Sequence, residues 1–230
     1  MAYSVSDAVI EVMQQMQPLK YAFDLDLVNY SALARRIQPI VSQKLGEEVS
    51  LDAIIMAIRR NATNFWPKRQ KQEVFSVFSQ TKLELRTGLV LIHLKRTPEN
   101  YEKLAHLEKK LNWGEGGKMY VIQRSEELSI VALASIEKEL IEGVGRDCVL
   151  FTRENLALIT LTLPSQNTEV AGVLETISHS FSLLGVSILL YFTSFQKSSF
   201  LFDETKASAV YEKFSRLISE SKVFTSASKS

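Results

Sequence analysis

Up to Ala62 the apolar positions recur at helical spacing. Val9, Ile10, Val12, Met13 and Met16 form one stripe, with Ser6 or Asp7 as its cap and Pro18 after its end. Leu33, Ala34, Ile37, Ile40 and Val41 form a second behind Asn29 or Ser31, and Pro39 inside it predicts a kink or a break into two short helices. After a stop at Leu45-Gly46-Glu47-Glu48, Ser50 caps a third stripe of Leu51, Ile54, Ile55, Ile58 and Ala62. Asp52 in its first turn and Arg59 and Arg60 in its last suit the helix dipole. Asn61 to Gln72 reads as a linker, and Val74 to Gln80 and Lys82 to Arg86 read as strands ending at Thr87-Gly88.

From Leu89 onward the pattern repeats itself. Leu89-Val90-Leu91-Ile92-His93-Leu94 and Leu156-Ala157-Leu158-Ile159-Thr160-Leu161 share Leu-x-Leu-Ile-x-Leu, and each precedes a polar break (Thr97-Pro98-Glu99-Asn100; Pro164-Ser165-Gln166-Asn167). The first copy continues with a helix from Pro98 to Leu111, strands Met119 to Gln123 and Leu128 to Leu133, a helix from Ser135 to Ile141 and a strand Cys148 to Phe151. The second has a strand to Leu163, a helix from Thr168 to Leu184, strands Val186 to Thr193 and Ser199 to Phe202, and a helix from Glu204 to Ile218. Val223-Phe224 hints at its last strand, and Thr225 to Ser230 reads as a disordered tail. A shared order of elements marks a duplicated structural unit. A βαββαβ unit folds as an antiparallel sheet with both helices on one face. Ser187 to Thr193 carries apolar residues on both faces, so another sheet or a dimer partner must cover the second. The expected class is α+β: a helical domain over 1–72, two ferredoxin-like modules over 73–153 (with the preceding strands) and 154–224, and a tail over 225–230.

Composition narrows the function. Hydrophobic content of 46%, charged content of 23% and a net charge of +1 suit a soluble globular protein and exclude a globally basic nucleic-acid coat. The single cysteine, Cys148, excludes an intramolecular disulfide, and its apolar run Cys148-Val149-Leu150-Phe151 predicts a buried structural thiol. Asp7 and Glu11 stand where a signal peptide needs a positive flank, and no window reaches the ~18 apolar residues of a membrane span. A cytoplasmic location with no membrane partner is expected. His93, His106 and His179 have no ligand-spaced partners, so no metal is expected. Gly114-Glu115-Gly116-Gly117 lacks the Lys-Ser/Thr of a phosphate-cradling loop, and no nucleophile elbow occurs. The chain is therefore expected to be no enzyme and to carry no cofactor.

Asn167-Thr168-Glu169-Val170-Ala171-Gly172-Val173-Leu174, then Ile177 and Phe181, Leu184-Gly185-Val186-Ser187-Ile188, and Tyr191 to Ser194 ahead of Ser199-Phe200-Leu201-Phe202, resemble an ACT domain, the amino-acid-sensing module attached to enzymes such as aspartokinases. The first copy keeps the order but has Glu102-Lys103 where the second has Glu169-Val170, and Trp113-Gly114-Glu115-Gly116-Gly117 at the helix exit, so it looks like a degenerate copy. The tandem pair resembles the regulatory part of aspartokinases. That resemblance implies an effector site at Asn167, Thr168, Glu169, Val170, Ala171 and Gly172, with Ile188 and Leu189 opposite. Amide N–H groups at a helix start can hold a carboxylate, and an acidic side chain an amino group. Asn167 and Thr168 are equally accounted for as helix caps.

Asn29-Tyr30-Ser31-Ala32-Leu33-Ala34-Arg35-Arg36-Ile37, and Val49-Ser50 before Leu51, resemble a winged-helix or helix-turn-helix domain with Val74 to Arg86 as its wing. Arg59, Arg60, Lys68, Arg69 and Lys71 could neutralise phosphates of DNA, while Asp24, Asp26, Glu47, Glu48 and Asp52 balance them. The resulting expectation is an amino-acid-responsive regulator, homodimeric through its ACT-like modules, with DNA as a further partner. The alternative is an interaction or dimerisation module with vestigial ligand sites; a cryptic enzyme ranks third.

Overall fold

The computed structural model describes the chain except residues 1–2, 17–18, 25, 63–64, 66–67, 111–118, 165–169 and 228–230, and leaves aside the side chains of 20–21, 24, 68–71 and 110. No helix among the described residues is long and apolar enough to cross a membrane. The chain divides into two units, 1–72 and 73–230.

The first unit is helical: α1 (Val5–Gln15), α2 (Leu19–Asp24), α3 (Tyr30–Leu45) and α4 (Leu51–Asn61). Ser4, one turn ahead of the expected cap, closes a capping box with Asp7 at the start of α1. Asn29 and Ser50 cap α3 and α4. Pro39 does not divide α3, which runs unbroken to a left-handed Gly46. Val9, Met13, Ile37, Val41, Ile54 and Ile58, from the stripes that the helical spacing marked, share one core with Phe65 of the expected linker. Asn61 Nδ2 reaches Ser6 Oγ at 2.8 Å and Lys44 Nζ reaches Glu11 at 2.7 Å, so α1 is tied to both α4 and α3.

Glu73, where the second unit begins, lies within α5 (Lys68–Ser79). This corrects both the linker, which would have reached Gln72, and the strand expected at Val74 to Gln80. Val74, Val77 and Phe78 are buried at the three-and-four spacing of a helix, which outweighs the β-propensity of valine and phenylalanine. The wing expected over Val74 to Arg86 is therefore absent: its first part is α5, and Lys82 to Arg86 lie in β1. The remaining elements are β1 (Lys82–Lys95), α6 (Pro98–Lys110), β2 (Tyr120–Gln123), β3 (Glu127–Leu133), α7 (Glu137–Val144), β4 (Val149–Thr162), α8 (Val173–Leu183), β5 (Leu190–Ser194), β6 (Lys197–Asp203) and α9 (Ala207–Ala227). Val223, Phe224 and the start of the expected tail belong to α9, so neither a last strand nor coil stands at 223–227.

The strands form one antiparallel sheet in the order β2-β3-β1-β4-β6-β5. Its centre explains the repeat. Leu89 to Lys95 pair with β3 on one side and with the start of β4 on the other. Leu156 to Thr162 pair with β6, while Leu158 to Thr162 also pair with Arg86 to Lys82. The fourth strand of the second repeat is thus supplied by residues that precede the first, and the first repeat is nested inside the second. Leu89 and Leu156, equivalent in the two hexamers, face each other across β1 and β4.

A register shift flanks each hexamer, with Gly88 at φ 67° and Asn155 at φ 57°. A bulge with its residue in the left-handed region suits glycine, and asparagine tolerates it. Each bulge moves the alternation by one residue. Leu83 and Leu85 accordingly meet the helices of the second half, whereas Leu89 and Leu91 lie on the helix-free face.

The sheet therefore has two helix-side cores and a third between its own halves. Val90, Ile92 and Leu94 pack with Leu104, Leu107, Leu140 and Val144 of α6 and α7. Ala157, Ile159 and Leu161 pack with residues of α5, α8 and α9, where Phe181 touches Phe200, Phe202 and Phe214. On the helix-free face, Leu89, Leu91 and Val131 of the first half share a core with Leu156, Leu158 and Leu201 of the second. Tyr120 and Phe192, from the two edge strands, meet there with ring centroids 5.1 Å apart. The apolar second face of Leu189, Leu190 and Phe192 is thus covered within one chain, which removes the ground for a dimer through Val186 to Thr193.

α6 and α7 approach closely at Gly143. A Cβ there would lie 2.7 and 2.8 Å from the Leu107 methyl groups. Gly143→Val should cost about 1–3 kcal/mol through overpacking, read as a lower denaturant midpoint at unchanged m-value.

Candidate functional site

The start of α8 is where the effector site was expected. Asn167, Thr168 and Glu169 lie outside the described residues. Gly172 is the N-cap, at φ 93° and ψ −11°, and no side chain caps the helix. Its carbonyl accepts from Thr176 N at 3.0 Å and Thr176 Oγ1 at 2.8 Å. Ala171 is exposed. Val170 and Ile188 both pack against the helix-side core. Leu189 is not: its N–H donates to Leu201 O at 2.8 Å and its side chain joins the core between the halves.

The first repeat enters its helix by a shorter route, and it carries a feature the sequence did not disclose. Thr97 Oγ1 accepts from Asn100 N at 3.2 Å at the start of α6. Asn100 is only 1% exposed, and its Nδ2 donates to Lys95 O at 2.8 Å. Its Oδ1 is buried with no hydrogen-bond partner among the described residues. A buried acceptor left unpaired costs about 1–3 kcal/mol, so it calls for a partner. In the flanking residues, Arg96 donates Nη1 to Ser125 O at 3.2 Å and turns its other donors to the Gln123 side-chain amide on β2, which the Tyr101 hydroxyl also meets at 2.6 Å. Glu99, 2.7 Å from Lys103 Nζ, holds that ammonium above its usual range. The one available signal was position: asparagine usually caps a helix, and here it sits inside the first turn.

The other sequence candidates are dispersed. Arg59 lies over the Tyr30 ring, 5.5 Å from its centroid, and Arg60 is exposed. Lys68, Arg69 and Lys71 belong to α5, and their side chains lie outside what is described. His93 Nδ1 is 3.0 Å from the buried Ser129 Oγ and 3.8 Å from Glu127, all on one side of the ring, so the three do not form a nucleophile–base–acid relay. Cys148 is half-buried at the entry to β4, and the Leu150 and Phe151 expected to bury it are themselves exposed. Among the described residues no group of three or more His, Cys, Asp or Glu could hold a metal ion. A groove of about 570 Å³ lined by Leu107, Ser135, Lys138, Glu139, Glu142 and Gly143 is open and charged with both signs.

No family model matches the chain, and no curated protein matches it. Among solved structures it is similar to aspartate kinase of Clostridium acetobutylicum, at 12% identity and a TM-score of 0.49 over 59% of this chain and 34% of that one. It is likewise similar to aspartokinase alpha and beta subunits, at 14% identity and a TM-score of 0.48 over 60% of this chain and 97% of that one. The regulatory subunit of aspartate kinase from Thermus thermophilus, ligand-free, follows at 13% identity and a TM-score of 0.46, over 59% of this chain and 95% of that one. This chain thus spans about a third of the Clostridium enzyme it matches.

Proposed function

We propose that the second unit is a pair of ACT-like modules, the first nested inside the second, and that it acts as a non-catalytic regulatory unit responding to an amino acid. The observation that carries this is the buried, unpaired Asn100 Oδ1 at the start of a helix. A ligand ammonium can donate to it, while the Arg96 guanidinium is engaged by Ser125 O through Nη1 and by the Gln123 side chain through Nε and Nη2. Amino acids bring such an ammonium. The start of α8, with its uncapped amides behind Gly172, is the corresponding place in the second module. No observation in the first unit favours DNA contact, and none is proposed.

An effector present at about 100 times its dissociation constant stabilises the folded state by roughly 2.7 kcal/mol, a melting shift of about 5–10 °C for a chain of this size. One of the standard amino acids at millimolar concentration should produce that shift by scanning fluorimetry. Asn100→Ala should abolish it if the first module holds the ligand. Ala171→Asp, which sets a carboxylate at the start of α8, should abolish it if the second does. A full panel without a shift would sink the proposal and leave an interaction module with vestigial sites.

A further inference from the structure

One end of the first unit is basic, and the packing of its helices makes it so. Gln38 Nε2 donates to Val49 O at 2.9 Å and Val49 N donates to Ser42 Oγ at 3.1 Å, which sets the start of α4 beside the later turns of α3. At the other extreme the Arg59 guanidinium lies over the ring of Tyr30, the first residue of α3. The two helices therefore run in opposite directions, and the last turn of α4 stands beside the first turns of α3. Arg35, Arg36, Arg59 and Arg60 are gathered at that end, all exposed and none ion-paired among the described residues. The acids described nearby are Asp26 and Asp7, and Asp7 is turned onto Ser4 in the capping box of α1. Glu47, Glu48 and Asp52 lie at the opposite end, around the turn between α3 and α4.

Two apolar side chains stand in water at the same end. Leu27, just ahead of α3, is 74% exposed, and Met56, one turn before Arg59 and Arg60 on α4, is 64% exposed. This composition separates a protein partner from a nucleic acid. A helix that reads DNA meets the bases with its N-terminal turn, and at that turn α4 carries Asp52 behind Glu47 and Glu48, three carboxylates that repel phosphate. Protein interfaces are instead enriched in methionine and arginine, the arginines taking carboxylates through paired N–H bonds. We propose that this end of the first unit is the docking surface for an acidic segment of a partner protein, with carboxylates for the four arginines and apolar side chains for Leu27 and Met56. The surface belongs to the first unit alone and does not depend on the effector sites of the second.

Fluorescence anisotropy of the full chain with a labelled helical peptide of about 20 residues, leucine on one face and glutamate on the rest, tests this. Saturable binding is expected with a Kd on the order of 10 μM at low salt, weakening as salt screens the charges. Arg36→Glu with Arg60→Glu, both exposed and so compatible with folding by circular dichroism, should weaken it about tenfold or more. Met56→Ser, which leaves every charge in place, should weaken it about threefold or more. No binding at about ten times that Kd, or binding indifferent to the two glutamates or to Met56→Ser, would overturn the proposal. So would tighter binding of a DNA duplex of equal charge, or sedimentation showing the arginines taken by the acidic end of a second copy.

Discussion

A fragment of residues 154–230 is expected to stay unfolded, although it holds nearly every element of the second repeat that the sequence displays. Its sheet would lack Lys82 to Arg86, which pair with Leu158 to Thr162 in the whole chain. Its helix-side core would lose Val74, Val77 and Phe78 of α5 and the covering Leu83 and Leu85. Leu158 and Leu201, which lean on Leu89, Leu91 and Val131, would open to water. Fully burying a side chain of this kind contributes about 1.5–3 kcal/mol, and a domain has only about 5–15 kcal/mol of net stability to lose. Residues 68–230 should fold cooperatively under the same conditions. Urea melts by circular dichroism separate the two outcomes, and a cooperative transition from the 154–230 fragment would contradict the nested arrangement.

Phe181→Ala should be the most damaging single substitution in the second unit. The ring is 1% exposed and sits 5.4 to 5.5 Å from the centroids of Phe200, Phe202 and Phe214, so its removal leaves a cavity that three stiff rings cannot easily fill. Phenylalanine-to-alanine changes at such sites cost about 3–5 kcal/mol. Phe195→Ala, at the exposed turn between β5 and β6, serves as the control and should stay within about 0.5 kcal/mol of wild type.

Much of this fold was legible in the sequence because each hexamer and each helical stripe is a local signal. Leu-x-Leu-Ile-x-Leu marked both central strands, and Asn29 and Ser50 marked two helix starts. What stayed hidden was partnership. Nothing local to Lys82 to Arg86 says that they complete a module whose other strands begin at Leu156, because pairing across that distance leaves no periodic trace. Val74 to Ser79 and Val223-Phe224 misled for a different reason: β-branched and aromatic residues suggest strand, yet both stretches lie in helices, α5 and α9. The two apolar faces of Ile188 to Phe192 correctly demanded a cover but could not tell another part of the same chain from a second copy. At the candidate site, Val170 and Ile188 lie against the helix-side core while Leu189 turns to the core between the halves. Asn100 went unnoticed because asparagine in a polar break looks like turn chemistry until its burial is known.

The amino acid proposed as effector would supply the donor that Asn100 Oδ1 lacks. The most direct test is a nitrogen-edited NMR titration of the whole chain with each standard amino acid, following the Asn100 side-chain amide and the backbone amides of 96–103 and 170–176. One of them is expected to saturate with large shifts at Asn100 and its neighbours on α6, smaller ones elsewhere, and none in Asn100→Ala. Titration of the full set to millimolar concentration with those resonances unmoved would contradict it.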